Sequence, residues 1–372
     1  MKKNIIFCGT PTFATASLKT LFELHEDGYF NLSTVITIPD KKAGRGQKMK
    51  ESEVKKVAKN LNIPILEPTD LSSNEFISQV KLLKPDLMIV IAFKKLPKIL
   101  FEIPTLGTIN LHASLLPKYR GAAPINWAII NGETQTGLTT FFINEKIDSG
   151  DIILQSKINI PTHWHADDLH DKLMHESSHI ITRTIDKVFS NNYNLKKQPD
   201  LESNKIIKRF SIAPKIHKQD RVFNREDFKG DQGLKKLYNF IRGHSPPGVK
   251  MKIEVQTTDN RVRSQTILIT RVSNYTDYDD LPDLGEDYYV DRHGFPTGAS
   301  HELTIAKTSR FAIGLPLKKE NRLIIKTSHG GFQIDKLKPE NGKEMSDKEF
   351  INGFLNKDYK DMGITPHVFL DN

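Results

Sequence analysis

Short apolar segments alternate with amphipathic segments through the first half of the chain. Continuous or alternating apolar runs predict strands, whereas apolar positions that recur every three or four residues predict helices. The predicted strands are Lys3–Cys8, Leu32–Ile38, Ile63–Leu66, Leu87–Ala92, Thr108–Leu111, Leu138–Ile143 and Ile152–Ile160. The predicted helices are Phe13–Glu26, Glu51–Leu61, Ser73–Leu83, Pro124–Ile130 and Asp168–Val188. Repeated strand–helix units predict an α/β fold with a doubly wound, mostly parallel sheet, which binds ligands beyond the carboxyl ends of its strands.

The pattern changes after Val188, where polar and turn-forming residues replace the helical periodicity. Short apolar runs then predict the strands of a small β-barrel at Val249–Val255, Gln265–Val272, Arg310–Ile313 and Arg322–Lys326. We therefore predict a first domain at residues 1–189, a linker at 190–207 and a second domain at 208–360. Residues 274–302 are acidic and rich in turns, which indicates an insertion in the second domain.

Composition narrows the class of protein. The chain has 372 residues, enough for two domains, and 37% of them are hydrophobic. No apolar run approaches the roughly 18 residues of a membrane span, and the N-terminus lacks a signal-peptide pattern. Cys8 is the only cysteine, so an intrachain disulfide is excluded, and we expect a cytoplasmic protein. The net charge of +9 suits a polyanionic partner such as RNA.

Candidate chemistry is concentrated at the end of the predicted strand Thr108–Leu111. Asn110 and His112 are two residues apart, so their side chains point to the same side of an extended chain. An amide donor beside a titratable imidazole suits a reaction that develops an oxyanion and moves a proton. The turn Asp148-Ser-Gly-Asp151 follows later in the chain and adds a carboxylate.

Three motifs together resemble the folate-dependent formyltransferases: Asn110-Leu-His112, Ser114-Leu-Leu-Pro117 and Asp148-Ser-Gly-Asp151. The resemblance implies a Rossmann-like catalytic domain in which Asn110, His112 and Asp148 are the catalytic residues. It also implies that 10-formyltetrahydrofolate is the formyl donor and that the reaction requires no metal. The residues that the resemblance places along the reduced folate are Ile91, Phe93, Ser114, Leu115, Leu116, Pro117 and Asp151.

The segment Pro39–Lys50 is basic, contains two glycines and lacks apolar periodicity, which predicts a flexible loop. Charge alone favours an ordinary solvated loop. However, Pro39-Asp-Lys-Lys-Ala-Gly-Arg-Gly46 is similar to a segment with which methionyl-tRNA formyltransferases enter the acceptor stem of initiator tRNA. This resemblance implies that methionyl initiator tRNA is the acceptor and that the second domain is an OB-like barrel that binds it. The implied tRNA contacts are Lys41, Lys42, Arg45 and Lys48. We expect the protein to be a monomer.

Two alternative functions stay open at this point. A formyltransferase that acts on a small amine, such as an amino sugar nucleotide, would use the same Asn110, His112 and Asp148. The segment Gly44-Arg45-Gly46 and the positive charge argue against it. A non-catalytic RNA-binding protein that keeps the fold is the other alternative, and the two intact motifs of the candidate site argue against it.

Two further segments bear on metal ions and nucleotide cofactors, neither of which we expect the protein to bind. His175-Glu-Ser-Ser-His179 matches the zinc-peptidase pattern. On a helix, however, both histidines lie nearly opposite an apolar face, so we predict that they are exposed and hold no metal. The turn Phe7-Cys-Gly-Thr-Pro11 is neither a Walker loop nor a Gly-x-Gly-x-x-Gly motif, so we expect no nucleotide cofactor.

Overall fold

The computed structural model describes residues 2–43, 48–200, 212–228, 232–256, 262–277, 312–314, 323–327, 330–350 and 368–370. The chain forms two compact units, the first drawn mostly from residues before 216 and the second mostly from residues after it. Within the described ranges, no helix has the length and apolar character that crossing a membrane requires.

A seven-stranded sheet forms the centre of the first unit. Its strands are β1 (Asn4–Gly9), β2 (Asn31–Ile36), β5 (Ile65–Leu66), β6 (Leu87–Ile91), β7 (Thr108–His112), β9 (Gln135–Phe142) and β10 (Ile152–Asn159). The order across the sheet is β10-β9-β7-β6-β1-β2-β5. Neighbouring strands are parallel, except that β9 runs antiparallel to both β7 and β10. The predicted α/β fold with a mostly parallel sheet is therefore confirmed.

Strand β1 lies in the interior of this sheet because both of its faces are apolar. Ile5, Ile6, Phe7 and Cys8 have no exposed surface, and burial raises the pKa of the Cys8 thiol far above its usual range. The strand order reverses beside β1, since β2 and β5 follow on one side and β6 pairs on the other. Open α/β sheets bind ligands at such a reversal, beyond the carboxyl ends of the strands. Strand β7 is the next neighbour of β6, so the candidate residues of β7 lie at this edge.

Helices connect the strands of the first unit. Those before residue 190 are α1 (Thr15–Glu26), α2 (Glu53–Asn60), α3 (Asn74–Leu82), α4 (Lys98–Phe101), α5 (Pro124–Ile130) and α6 (Ala166–Phe189). Helices α2 and α3 begin after Ser52 and Ser73, whose hydroxyls accept backbone N–H groups of the first turn. Helix α6 buries the apolar face that its sequence predicts, formed by Leu169, Leu173, Ile180, Ile181, Thr184, Ile185 and Val188.

The segment Pro39–Lys50 is not a loop throughout, contrary to the prediction. Its two ends form short strands, β3 (Lys41–Ala43) and β4 (Lys48–Lys50), which pair antiparallel with Lys41 opposite Lys50. Residues 44–47 lie between them and outside the described residues. The sequence of these ends shows no apolar alternation, so their pairing was not predicted. Backbone pairing therefore aligns several lysines that a loop would have left unordered.

The second unit is built on an antiparallel sheet. Its strands are β12 (Val249–Gln256), β13 (Val262–Asp277), β14 (Ala312–Gly314), β15 (Leu323–Thr327), β16 (Gly330–Pro339), β17 (Met345–Ser346) and β18 (Val368–Leu370). The order is β13-β12-β18-β14-β15-β16-β17, and β16 also pairs with β13, so that six of the strands close into a ring. Strands β12 to β15 correspond to the four predicted runs, whereas β16 was not predicted as a strand. Residues 278–302 of the predicted insertion lie outside the described residues.

Helix α7 (Gly233–Gly243) packs its apolar face in the core of the second unit. Leu237 and Ile241 of this helix join the same buried cluster as Ile267 of β13 and Phe332 of β16. A further short helix, α8 (Asp347–Phe350), contributes the fully buried Phe350. This unit therefore has an apolar core of its own, as a separate domain requires.

Candidate functional site

Strand β7 brings two candidate side chains to the ligand-binding edge of the sheet. Asn110 and His112 occupy alternate positions of the strand, which is parallel to β6 on one side and antiparallel to β9 on the other. Asn110 is half-buried and His112 is buried, with 7% of its surface exposed. Asn110 and His112 therefore lie at alternate positions near the end of β7, as predicted. Asn110 is the more exposed of the two.

The proton position of His112 is set by a backbone carbonyl. Its Nε2 lies 2.8 Å from the carbonyl oxygen of Tyr119, which only accepts hydrogen bonds, so Nε2 carries a proton and donates it. In the neutral imidazole, the lone pair is therefore on Nδ1. The Nδ1 atom faces Asp148, whose Oδ2 is 3.7 Å away, too far for a direct hydrogen bond. Nδ1 is consequently the ring nitrogen that faces the carboxylate.

Asp148 is held in place by the backbone of the neighbouring loop. Its Oδ2 accepts a hydrogen bond of 2.8 Å from the Gly121 N–H. The residue itself has a left-handed backbone, with φ +50°, a conformation that aspartate tolerates better than most residues. Two residues later, a Cβ on Gly150 would lie 1.7 Å from the Phe142 carbonyl oxygen, so only glycine fits there. The backbone conformation of the turn and the Gly121 N–H therefore both help to position this carboxylate.

Gly121 is positioned by a pairing between distant segments. It belongs to the short strand β8 (Arg120–Gly121), which pairs parallel with β11 (Ile212–Ala213). Its φ is +118°, and a Cβ would lie 2.7 Å from the Ala213 carbonyl oxygen. A glycine is thus required both for the backbone angle and for the close approach of β11. The sequence analysis named Gly121 only as part of a motif and assigned it no role.

Hydrogen bonds to neighbouring residues fix the segment Ser114–Pro117. Ser114 is fully buried, and its hydroxyl donates to the Lys118 carbonyl over 2.6 Å. The Thr139 hydroxyl donates to the Ser114 carbonyl, and the Gln155 amide donates to the Leu116 carbonyl. Leu116 packs in a buried cluster, whereas Leu115 and Pro117 are half-buried. The side chains of Ser114 and Leu116 therefore shape the segment from inside, and the half-buried pair faces outward.

The other residues expected along the folate lie at neighbouring strand ends. Ile91 is the last residue of β6 and is fully buried, whereas Phe93 is half-buried and packs against the core behind it. Asp151 follows the Asp148 turn, and its carbonyl accepts a hydrogen bond from the Phe142 N–H. Contact of these residues with folate stays a prediction.

Comparison with known proteins assigns the chain to a family. Residues 1–185 match the family described as formyl transferase. A methionyl-tRNA formyltransferase of Bacteroides fragilis is 45% identical over 249 residues, covering 66% of this chain and 73% of that one. A methionyl-tRNA formyltransferase of Thermodesulfovibrio yellowstonii is 36% identical over 354 residues, covering 95% of this chain and 96% of that one. This chain belongs to the methionyl-tRNA formyltransferase family.

Solved structures agree on the fold. The crystal structure of WlaRD, a sugar 3N-formyl transferase in the presence of dTDP and 5-N-formyl-THF, aligns with a TM-score of 0.55. It is 19% identical in sequence, and the alignment covers 92% of this chain and all of that one. At this identity the likeness concerns the fold alone. Members of the methionyl-tRNA formyltransferase family and a sugar formyl transferase thus share one architecture.

The basic hairpin β3–β4 is the part of this family member that the sequence associates with tRNA. Lys41 and Lys42 are exposed on β3. Lys48 begins β4, and Arg45 lies outside the described residues. The hairpin follows directly after Asp40, which forms an ion pair of 2.8 Å with the buried Lys55.

A small cluster of charged residues holds the chain in place at the start of the hairpin. Lys55 Nζ also lies 2.9 Å from Glu67 Oε2, and the hydrogen bonds that Lys55 donates to Asp40 and Glu67 raise its pKa. The two carboxylates thus keep this mostly buried lysine charged. Because Asp40 immediately precedes β3, the cluster fixes the position of the residue from which the basic hairpin begins.

The two histidines of the zinc-peptidase pattern lie on the outer face of α6. His175 and His179 are exposed, opposite the buried face of the helix, so the predicted exposure is confirmed. Within the described part of the chain, no three histidine, cysteine or acidic residues lie close enough together to hold a metal ion.

Gly121→Ala should reduce both stability and catalytic turnover. A left-handed backbone angle and a Cβ that meets the Ala213 carbonyl oxygen predict a stability loss of about 1–3 kcal/mol. Displacement of the Gly121 N–H would also release the Asp148 carboxylate, so turnover should fall further than stability alone explains. Thermal unfolding and initial rates under conditions in which the variant is folded measure the two effects.

Gly28→Ala is the matched control for this substitution. Gly28 also has a positive φ, +79°, but a Cβ there would meet only the flexible end of the Lys2 side chain. This control should lose stability and retain turnover. Equal turnover of the two folded variants would show that Gly121 does not position Asp148.

Proposed function

We propose that this chain transfers the formyl group of 10-formyltetrahydrofolate to the amino group of methionyl initiator tRNA, giving N-formylmethionyl-tRNA for translation initiation. The observation that carries the proposal is the approach of His112 Nδ1 to Asp148 Oδ2 at 3.7 Å, at the end of the strand that also contains Asn110. An amide donor, a proton-carrying ring and a carboxylate at one strand end suit acyl transfer to an amine.

The first task of the site is to stabilise the oxyanion. The methionyl amine attacks the formyl carbon, and the carbonyl oxygen becomes negatively charged in the tetrahedral species. The half-buried Asn110 amide donates one hydrogen bond to this oxygen. When Nδ1 is protonated, His112 donates a second hydrogen bond from this atom, because its Nε2–H is engaged by the Tyr119 carbonyl. Such donors are most effective in a site with little water, and His112 is already buried.

The second task is to move a proton. The attacking amine must lose a proton, and the N10 atom of the folate must gain one when its bond to the formyl carbon breaks. Asp148 orients the imidazole and, through a bound water, assists transfer of the proton from the amine toward N10. Its carboxylate also compensates the positive charge of His112 when Nδ1 is protonated. The products are the formylated tRNA and tetrahydrofolate, and no metal is needed for this balance.

The residues at the sheet edge fit a reduced folate. A pteridine ring is flat and combines apolar faces with polar edges, so it suits a site with apolar walls and backbone hydrogen-bonding groups. Phe93, Leu115 and Pro117 are half-buried and supply apolar surface. Asp151 is half-buried at the end of the Asp148 turn and supplies a polar edge.

The basic hairpin and the second unit supply the tRNA contacts in this proposal. Lys41, Lys42, Arg45 and Lys48 contact the phosphates of the acceptor stem. We assign residues 1–189 to the catalytic domain, 190–207 to the linker and 208–360 to an OB-like barrel that binds tRNA. The closed ring of strands in the second unit supports a barrel. This ring includes β18 (Val368–Leu370), which lies beyond the boundary at residue 360. The protein would act as a cytoplasmic monomer.

Formyl transfer to alternative acceptors tests the proposed function. The wild-type chain is incubated with 10-formyltetrahydrofolate and, in separate reactions, methionyl initiator tRNA, methionyl elongator tRNA, uncharged initiator tRNA and an amino sugar nucleotide. We expect fast transfer to methionyl initiator tRNA and little transfer to the other acceptors. Transfer to the sugar nucleotide alone would favour the sugar formyltransferase alternative. Saturable tRNA binding without folate binding would favour the RNA-binding alternative.

Asn110→Ala and His112→Ala should each lower kcat by roughly 10²–10³, the usual effect of removing one oxyanion donor. His175→Ala is the control, since His175 is exposed on α6 outside the site. Single-turnover rates with saturating folate and tRNA separate the chemical step from binding. Near-native rates for either site variant would refute the role assigned to that residue.

The double substitution Lys41→Ala/Lys42→Ala should raise KM for methionyl initiator tRNA and leave kcat nearly unchanged. Each lost phosphate contact should also weaken the dependence of tRNA affinity on salt concentration. Lys19→Ala/Lys81→Ala is the control, because it removes the same charge from two other exposed positions. The tRNA affinities of the variants are measured at several salt concentrations. An equal loss in both variants would indicate a general charge effect rather than contacts by the hairpin.

A further inference from the structure

A side chain from a distant segment of the chain, Gln198, holds the turn that contains Asp148. The Gln198 amide nitrogen donates to the Asp148 carbonyl over 3.1 Å and to the Gly150 carbonyl over 2.7 Å. Both protons of this NH₂ group are thereby used on the same turn. The two bonds span the residue between Asp148 and Gly150, so they fix the backbone on both sides of it.

Gln198 is itself fixed at its other end. Its Oε1 accepts from Arg120 Nε over 3.0 Å and from Arg120 Nη2 over 2.6 Å. The guanidinium also donates to the Pro199 carbonyl. Burial lowers the pKa of Arg120, and the nearby carboxylates of Asp148 and Asp200 oppose this shift. A guanidinium is charged in proteins, so the two bonds of Arg120 to the amide oxygen are charge-assisted.

The backbone near Gln198 is held in register with the sheet. Two residues before it, Lys196 exchanges two backbone hydrogen bonds with Ile152, the first residue of β10. Ile152 directly follows Asp151, the last residue of the Asp148 turn. The segment that contains Gln198 is thus paired beside the turn that its side chain holds.

We propose that Gln198 is a positioning residue for Asp148, and that Arg120 orients its amide so that the NH₂ group faces the turn. The inference rests on the proposed function of Asp148 in formyl transfer. Asp148 has a left-handed backbone angle, which is unfavourable for a non-glycine residue. Hydrogen bonds to the carbonyls on both sides of Ser149 offset this strain and keep the carboxylate facing His112.

Gln198→Glu removes the donor group that faces the turn and keeps the acceptor group that faces Arg120. The glutamate has the same shape and accepts hydrogen bonds from Arg120 at least as well as glutamine does. It has no N–H group, however, so both carbonyls of the turn lose their donor and face a negative charge instead. Gln198→Ala removes the donor and the acceptor without adding charge. Gln135→Glu is the matched control, because Gln135 is exposed and its amide bonds only Asn159 among the described residues.

The experiment measures kcat, KM for both substrates and the thermal midpoint of the full-length variants. We expect Gln198→Glu and Gln198→Ala to lower kcat by roughly 10–100-fold, since small displacements of a catalytic group have effects of this size. KM for tRNA should change little, and Gln135→Glu should resemble the wild type. The thermal midpoint should fall modestly, because the strained turn loses two hydrogen bonds, whereas the loss of kcat should persist well below that midpoint. A residue with a purely structural role would instead show wild-type kcat wherever the variant is folded, which would overturn the proposal.

A double-mutant cycle with Asp148→Asn tests whether Gln198 acts through Asp148. If it does, Gln198→Glu should lower kcat by no more than about twofold in the Asp148→Asn background, because the group that it positions is already lost. Equal losses in both backgrounds, or full activity of both Gln198 variants, would overturn the proposal. Absence of formyl transfer by the wild-type chain would instead contradict the proposed function, so the two failures are distinguishable.

Discussion

The hydrogen bond from the Gly121 N–H to Asp148 Oδ2 is the interaction on which the geometry of the site depends. It fixes a carboxylate next to His112, whose Nε2–H is in turn directed by the Tyr119 carbonyl. Both contacts come from the short backbone segment between Tyr119 and Gly121. Tyr119 also has a left-handed backbone angle, φ +62°. A strained loop thus determines which nitrogen of the histidine is available and what that nitrogen faces.

Features that depend on the periodic spacing of apolar and polar residues could be predicted from the sequence. Strand β6 is apolar throughout, and α6 has one buried face and exposed histidines on the other, as its periodicity indicates. The positions of Asn110 and His112 on one strand followed from the two-residue period of a strand alone. These predictions succeed because each depends on local backbone geometry and on which face of an element is buried.

Other features depend on contacts between distant residues, and the sequence shows no pattern for them. The pairing of β8 with β11 joins two-residue strands that are about 90 positions apart. Gln198 lies in a polar segment that was predicted to be a linker, yet its amide holds the turn that contains Asp148. Glycine at position 121 was visible in the sequence, but its need for a positive φ becomes clear only beside the Ala213 carbonyl.

The fold does not decide which amine is formylated. A sugar 3N-formyl transferase shares the architecture at 19% identity, so the sheet and its ligand-binding edge are compatible with very different acceptors. The shared architecture therefore leaves the choice of acceptor to features particular to each chain. In this chain the basic hairpin β3–β4 is the strongest candidate, because Asp40 at its base is fixed by the buried Lys55 while Lys41 and Lys42 remain exposed. Exposed lysines beside an anchored Asp40 suit a polyanionic acceptor and offer no advantage for a small amine.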